Sequence, residues 1–213
     1  MNENILITSK TRKGNSACVG GIILSTKEFV RLLNPGNWDQ PVDTHFNIGD
    51  IWNIEYDKRV NVIPLHVEDI IVRNKSFVRK INDLSNFIID LGVPIYLGSP
   101  IKIFDGKLKW TLQGSGYIND KNNLPENSVG FWIPDGDLIL DIDKKHYLYL
   151  GKMSHHSVKR FPYVGFGPKV PKIPSGTLIR ISLARWWKPV DIEMEERCYL
   201  QLSGWYGTSN SNR

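Results

Sequence analysis

Ten cations and no carboxylate occupy the stretch from Lys144 to Val190: Lys144, Lys145, Lys152, Lys159, Arg160, Lys169, Lys172, Arg180, Arg185 and Lys188. Tyr147, Tyr149, Phe161, Tyr163, Phe166, Trp186 and Trp187 are interleaved with them. Cations neutralise phosphates, and an exposed ring stacks on a base for roughly 1–3 kcal/mol. The same composition also describes strands whose rings alternate into a core while the lysines face water. Both readings stand, but the asymmetry is real. The formal net charge of +5 leaves 17 basic against 22 acidic residues in the rest of the chain.

Three further cations, Lys10, Arg12 and Lys13, fall in Thr8–Asn15, which reads as a loop of hydroxyls and a glycine. Such a loop can cradle an anion with its amides and ammonium groups, or simply be a solvated hairpin turn. The run Gly14–Gly21 lacks the Gly-Lys-Ser/Thr of a phosphate loop, so nucleotide hydrolysis is not expected. His155 and His156, adjacent on a strand, would point opposite ways and chelate poorly. Asp135, Asp137, Asp141 and Asp143 alternate as metal-binding carboxylates sometimes do, yet Pro134-Asp-Gly-Asp reads as a surface turn. No Gly-x-Ser-x-Gly elbow and no informative Cys/His pair occurs. These residues give no reason to expect catalysis, a cofactor or a metal. In Arg185-Trp186-Trp187-Lys188, strand geometry would send one Trp to the core and leave the other partly exposed.

The elements that must position these groups are mostly strands. Seven Trp, eight Tyr and eight Phe with 18 Gly and 12 Pro favour pleated sheet and turns. In the first half, apolar runs predict strands at 5–7, 17–24, 29–33, 49–56 and 65–72. Phe77, Ile81, Leu84, Ile88 and Leu91 step by four and three, which predicts a helix capped by Ser76 and stopped by Gly92. Strands are predicted again at 101–104, 108–113, 116–118, 129–133, 138–142, 147–150, 178–183 and 198–202. Four prolines hold Arg160–Gly176 out of regular structure, as in many functional loops. The organisation expected is a first barrel over 1–75, a helix over 76–92, a second barrel over 93–207 and a disordered tail over 208–213.

The opening Met1-Asn-Glu-Asn has no basic leader, and no run approaches the ~18 apolar residues of a membrane helix. Cys18 and Cys198 lie far apart and suit reduced, packed thiols, although a disulfide stays open. The cytoplasm is the expected compartment, with no membrane partner.

Several motifs resemble the bacterial dual OB-containing domain family: Ile5-Leu-Ile-Thr-Ser-Lys, Cys18-Val-Gly-Gly21, Glu28-Phe-Val-Arg31-Leu, Gly49-Asp-Ile51 and His66-Val-Glu-Asp-Ile70. At the other end, Leu178–Trp187 and Arg197–Tyr206 are similar to the close of such domains. The resemblance implies a mainly β chain of two OB-like barrels, encoded among bacterial conflict or phage-defence genes, with a nucleic-acid or nucleotide ligand. Here Asn15-Ser16-Ala17 precedes Cys18, where family members often carry Gly-Arg, so any role of that Arg does not carry over.

Single strands or ends of nucleic acid are the expected ligand. They would lie against Lys152, Lys159, Arg160, Lys169, Lys172, Arg185 and Trp186 or Trp187, with Lys10, Arg12 and Lys13 adding to the site. Two alternatives remain: an adaptor for an effector enzyme encoded nearby, and a sensor of a small nucleotide.

Overall fold

The computed structural model describes residues 1–151, 158–191 and 193–207. It divides into two compact units, Met1–Val93 with Tyr206, and Pro94–Trp205.

The first unit is built from β1 (Asn2–Lys13), β2 (Ser16–Ile23), β3 (Phe29–Leu33), the short β4 (Gln40–Pro41), β5 (Asp50–Lys58), β6 (Asp69–Lys80) and α1 (Leu84–Asp90). Strand β1 pairs with both β2 and β5, β2 with β3, β3 with β6 in parallel, and β6 with β5. That circuit closes five strands into a barrel with the pairing order of an OB fold. A bulge at Thr8, between Ile7 and Ser9, lets one long strand serve two neighbours. Its hydroxyl donates to the Gly20 carbonyl. Ile5, Leu6, Ile7, Val19, Ile22, Leu32 and Ile54 are fully buried. Gly21 must be glycine because a Cβ there would sit 2.7 Å from the Leu6 carbonyl oxygen.

The second unit contains β7 (Ile95–Leu97), a 3-10 turn (Pro100–Gly106), β8 (Lys109–Trp110), β9 (Gly116–Ile118), β10 (Val129–Ile133), β11 (Asp137–Leu140), β12 (His146–Leu150), β13 (Lys159–Pro162), β14 (Lys172–Ile173), β15 (Leu178–Leu183) and β16 (Cys198–Tyr206). The same circuit recurs. Strands β10 and β11 act as one first strand, broken at Pro134–Gly136. β10 pairs with β15 and β11 with β12, while β12 pairs with β13 and β15 neighbours β16. Closure from β13 to β16 rests on a parallel bridge, Tyr163 to Leu202, with the Val164 amide donating to the Leu202 carbonyl at 3.0 Å. Strands β7, β8, β9 and β14 are additions to this frame. Its interior is aromatic. Trp132 stacks on Phe161 at 5.3 Å and 20°, touches Tyr149, and donates its indole N–H to the Gly98 carbonyl.

The mainly β class and its two OB-like barrels are as the resemblance implies, with five local corrections. Arg160–Gly176 is not wholly outside regular structure, because β13 runs to Pro162 against β12 and Lys172–Ile173 pairs with β11. The segment Thr8–Lys13 is strand rather than loop, because β1 runs on against β2. The helix spans only Leu84–Asp90. Phe77 belongs to β6, facing Trp52, so long-range pairing overrides the helical spacing there, and the cap is Asp83 rather than Ser76. Gly92, at φ +68°, does end it. Residues 101–104 form a 3-10 turn rather than a strand, with Phe104 and Asp105 at positive φ after Pro100. Residues 65–68 precede β6 instead of opening it. Neither cysteine is in a disulfide, and burial pushes the Cys198 thiol up to about 12.

Candidate functional site

The acid-free run in the sequence is not acid-free in space. The β11–β12 turn brings Asp141 and Asp143 back onto β13, where the Arg160 guanidinium donates to both at 2.9 and 2.6 Å. His146 joins them, its Nδ1 2.5 Å from Asp143, so ligand atoms of Asp141, Asp143 and His146 lie within 4.8 Å of one another. The Lys145 amide, more than any other group, holds the Asp143 carboxyl below the usual carboxylate range, with His146 adding to it. The cation at this acidic turn is the guanidinium.

The other expected cations are similarly engaged. Lys172 pairs with Asp137 at 2.6 Å, and Lys169 donates to the Lys144 carbonyl. Lys159 lies 4.6 Å over the Trp110 ring, where burial lowers its pKa. Lys152, His155 and His156 fall outside the described residues. In the first unit, Lys13 pairs with Asp39 and Lys10 donates to the Thr44 carbonyl, while Arg12 is exposed near the tip of β1. The expected site is therefore not one continuous row of open cations.

Arg185, Trp186 and Trp187 lie beyond the end of β15, so strand alternation does not govern them. Neither Trp enters the core. Trp186 is half-buried beneath the Lys121 ammonium, 5.1 Å away, and Trp187 is 54% exposed. Trp187 bridges to Arg197 across the β15–β16 loop, and its ring lies 6.2 Å from Tyr199. Tyr199 lies 6.0 Å from Tyr117, and the Arg197 guanidinium caps Tyr117 at 4.1 Å. Three partly exposed rings, Trp187, Tyr199 and Tyr117, thus form a strip, with Arg197 set over Tyr117, Lys109 opposite Tyr117 in the β8–β9 ladder, and Lys121 over Trp186, the residue before Trp187. Glu195 holds Arg197 and Glu196 holds Lys121, at 3.0 and 2.7 Å. Such a strip offers faces for stacking and donors for an anion, with its cations already positioned.

Tyr117, Tyr199, Arg197 and Lys121 were not anticipated. A signal existed: Tyr117 sits between buried Gly116 and Ile118, and Tyr199 between buried Cys198 and Leu200, so both rings must point outward. What composition could not supply is the register that sets Tyr199 opposite Tyr117.

In the first unit, motif residues meet on the barrel's outer side. Arg31 on β3 donates twice to Asp69 on β6, at 2.5 and 2.6 Å, and Arg59 adds a third bond at 2.7 Å. Asp69 is almost wholly buried, so the two guanidiniums are its counter-ions. Two of the segments that carry the resemblance, Glu28–Leu32 and His66–Ile70, are thereby joined by one ion network.

The model of the dual OB-containing domain matches residues 3–205, nearly the whole chain. The chain belongs to this family. No curated protein and no solved structure matches it. Among the described residues, no helix is long and apolar enough to cross a membrane. Membership makes this dual OB protein an OB-fold binding protein, a fold that takes oligonucleotides, sugars and proteins alike.

Proposed function

We propose that this dual OB protein is a non-catalytic binder of single-stranded nucleic acid or its ends, with bases stacked along Trp187, Tyr199 and Tyr117. One observation carries the reading: three partly exposed rings with neighbouring centroids 6.0 and 6.2 Å apart, the Arg197 guanidinium over one of them, beside the loop between the last two barrel strands. OB barrels commonly take oligonucleotides against that loop. Arg197 and Lys188 would meet phosphates, and Trp186 under Lys121 would wall one side. Lys159, Arg160, Lys169 and Lys172 are held by their own partners and contribute field rather than contacts. A bacterial conflict or phage-defence setting is part of the proposal.

The test is binding of labelled single-stranded DNA and RNA of about 12 nucleotides. The logarithm of affinity should fall with log salt by about 0.7 per phosphate contacted. With two carboxylates beside the strip, a shallow slope is expected. No binding at low salt would sink the reading.

A further inference from the structure

Away from that strip, β6 presents a free edge. Only Asp69–Ile71 pairs with β3, and beyond Val72 the strand pairs with β5 alone. All of Arg73–Lys80 is exposed. An exposed edge is a row of peptide N–H and C=O groups aimed at solvent, ready to take another strand. On its free flank the only backbone hydrogen bond recorded among the described residues is from the Lys75 amide to the Asn74 side chain.

The edge reads Arg73-Asn-Lys-Ser-Phe-Val-Arg-Lys80, with Lys75 and Phe77 sharing the face of Trp52. Phe77 is 54% exposed and Val78 47%. Asp57 holds Arg73, but among the described residues Lys75 forms no ion pair with a carboxylate. Its ammonium lies 4.2 Å from the Phe46 ring centre and 5.9 Å from that of Trp52, and burial lowers its pKa. Arg79 lies 5.8 Å over Phe87, and Lys80 ends the row. A partly desolvated ammonium lying over two ring faces is favourably met by an incoming carboxylate.

We propose that the β6 edge captures an extended acidic peptide as an added strand, its carboxylates facing Lys75, Arg79 and Lys80 and its apolar residues meeting Phe77 and Val78. The backbone row supplies affinity and the side chains select the sequence. A second copy of this chain is the wrong occupant, because edge-to-edge pairing would set the same cations opposite one another. The charges that guard the edge against its own copy are those that select an acidic strand. An oligonucleotide would use the cations but leave the peptide row unpaired.

The experiment uses the full chain and a fluorescent peptide of about eight residues, Glu-Glu-Val-Val repeated, a strand's length in which each face carries Glu and Val two residues apart. Two further peptides carry backbone N-methyl groups on alternate residues, one in each register. The parent should bind. One N-methyl register should lose about tenfold or more while the other keeps its affinity, since only one edge of an added strand faces β6. Lys75→Glu with Lys80→Glu should weaken the parent about tenfold with the melting temperature unchanged.

Three results would overturn the proposal: no binding of the parent, equal binding of both methylated registers, or a dimer in sedimentation that the charge reversals abolish. Displacement of the peptide by a single-stranded oligonucleotide from a Trp187→Ala protein would reassign the edge to nucleic acid and also overturn it. Because the peptides carry the backbone test, a variant that fails to fold leaves that test intact.

Discussion

The two barrels share a strand circuit and differ in what fills and what coats them. In the first, aliphatic side chains from β1, β2 and β3 pack a ladder closed on all sides, and the outer face carries a nearly buried carboxylate clasped by two guanidiniums. In the second, the seam along β13 is held by isolated bridges, Tyr163 to Leu202 and Ser115 to Arg160, and stacked rings around Trp132 occupy the middle. Its outer surface keeps further rings partly exposed instead of consuming its cations in a buried pair. Continuous backbone pairing lets a barrel hold together on aliphatic packing, whereas a barrel with a short seam relies on large plates that span the gap. Removing a plate should therefore cost more than removing an ion partner.

Trp132→Ala tests that directly. The ring is fully buried, stacked on Phe161 and hydrogen-bonded to Gly98, so its loss should destabilise the second unit by about 3–5 kcal/mol in chemical denaturation. A loss under about 1 kcal/mol would mean that the seam, not the plates, holds this barrel. Next in size is Asp69→Ala, which leaves Arg31 and Arg59 without their shared counter-ion. Breaking a buried pair from one side costs about 3 kcal/mol, and partial exposure of Arg59 places the expectation at or below that figure. The same measurement on both variants ranks packing against pairing.

How much of this was legible in the sequence depends on which interactions decide each feature. Strands 29–33, 116–118, 129–133 and 178–183 could be read to the residue, because local alternation and turn residues delimit them. The helix was overextended because Phe77 and Ile81 fit its spacing, yet Phe77 faces Trp52 from another strand, a partner that no local window contains. The basic stretch was misjudged for a related reason. Asp141 and Asp143 lie just before it in sequence, and only the β12–β13 ladder reveals that they fold onto Arg160. Strand alternation predicts one core and one partly exposed Trp at 186 and 187 without choosing between them; neither is in the core, and the companions of Trp187, Tyr199 and Tyr117, come together by a register that composition does not encode.

Trp187→Ala sharpens the comparison at the surface. Being more than half exposed, the ring should leave stability nearly unchanged, while affinity for a single-stranded oligonucleotide should fall by roughly 1–3 kcal/mol if a base stacks on it. Trp38→Ala in the first unit, 75% exposed in the β3–β4 turn, is the matching control and should leave affinity alone. Equal effects would show that exposed rings in either unit serve the ligand and would erase the proposed division of labour.

The smallest effect concerns the acidic turn of the second unit. Asp143 has its carboxyl held below the usual range, first by the Lys145 amide and then by His146. A carboxyl whose folded pKa is depressed contributes stability that is fully present above its unfolded value, about 3.9, and is lost as pH falls through the lower folded value. The stability difference between the parent and Asp143→Asn should therefore be constant near neutral pH and shrink only below about pH 4. Arg160 keeps Asp141 in the variant, so the deficit at neutral pH should be well below that of Asp69→Ala, as befits a more exposed cluster. Urea denaturation of both variants across this pH range measures the two deficits together. If Asp143→Asn costs as much as Asp69→Ala at neutral pH, the turn is a structural clasp equal to that of the first barrel. The contrast between a buried network in one unit and a solvated one in the other would then fail.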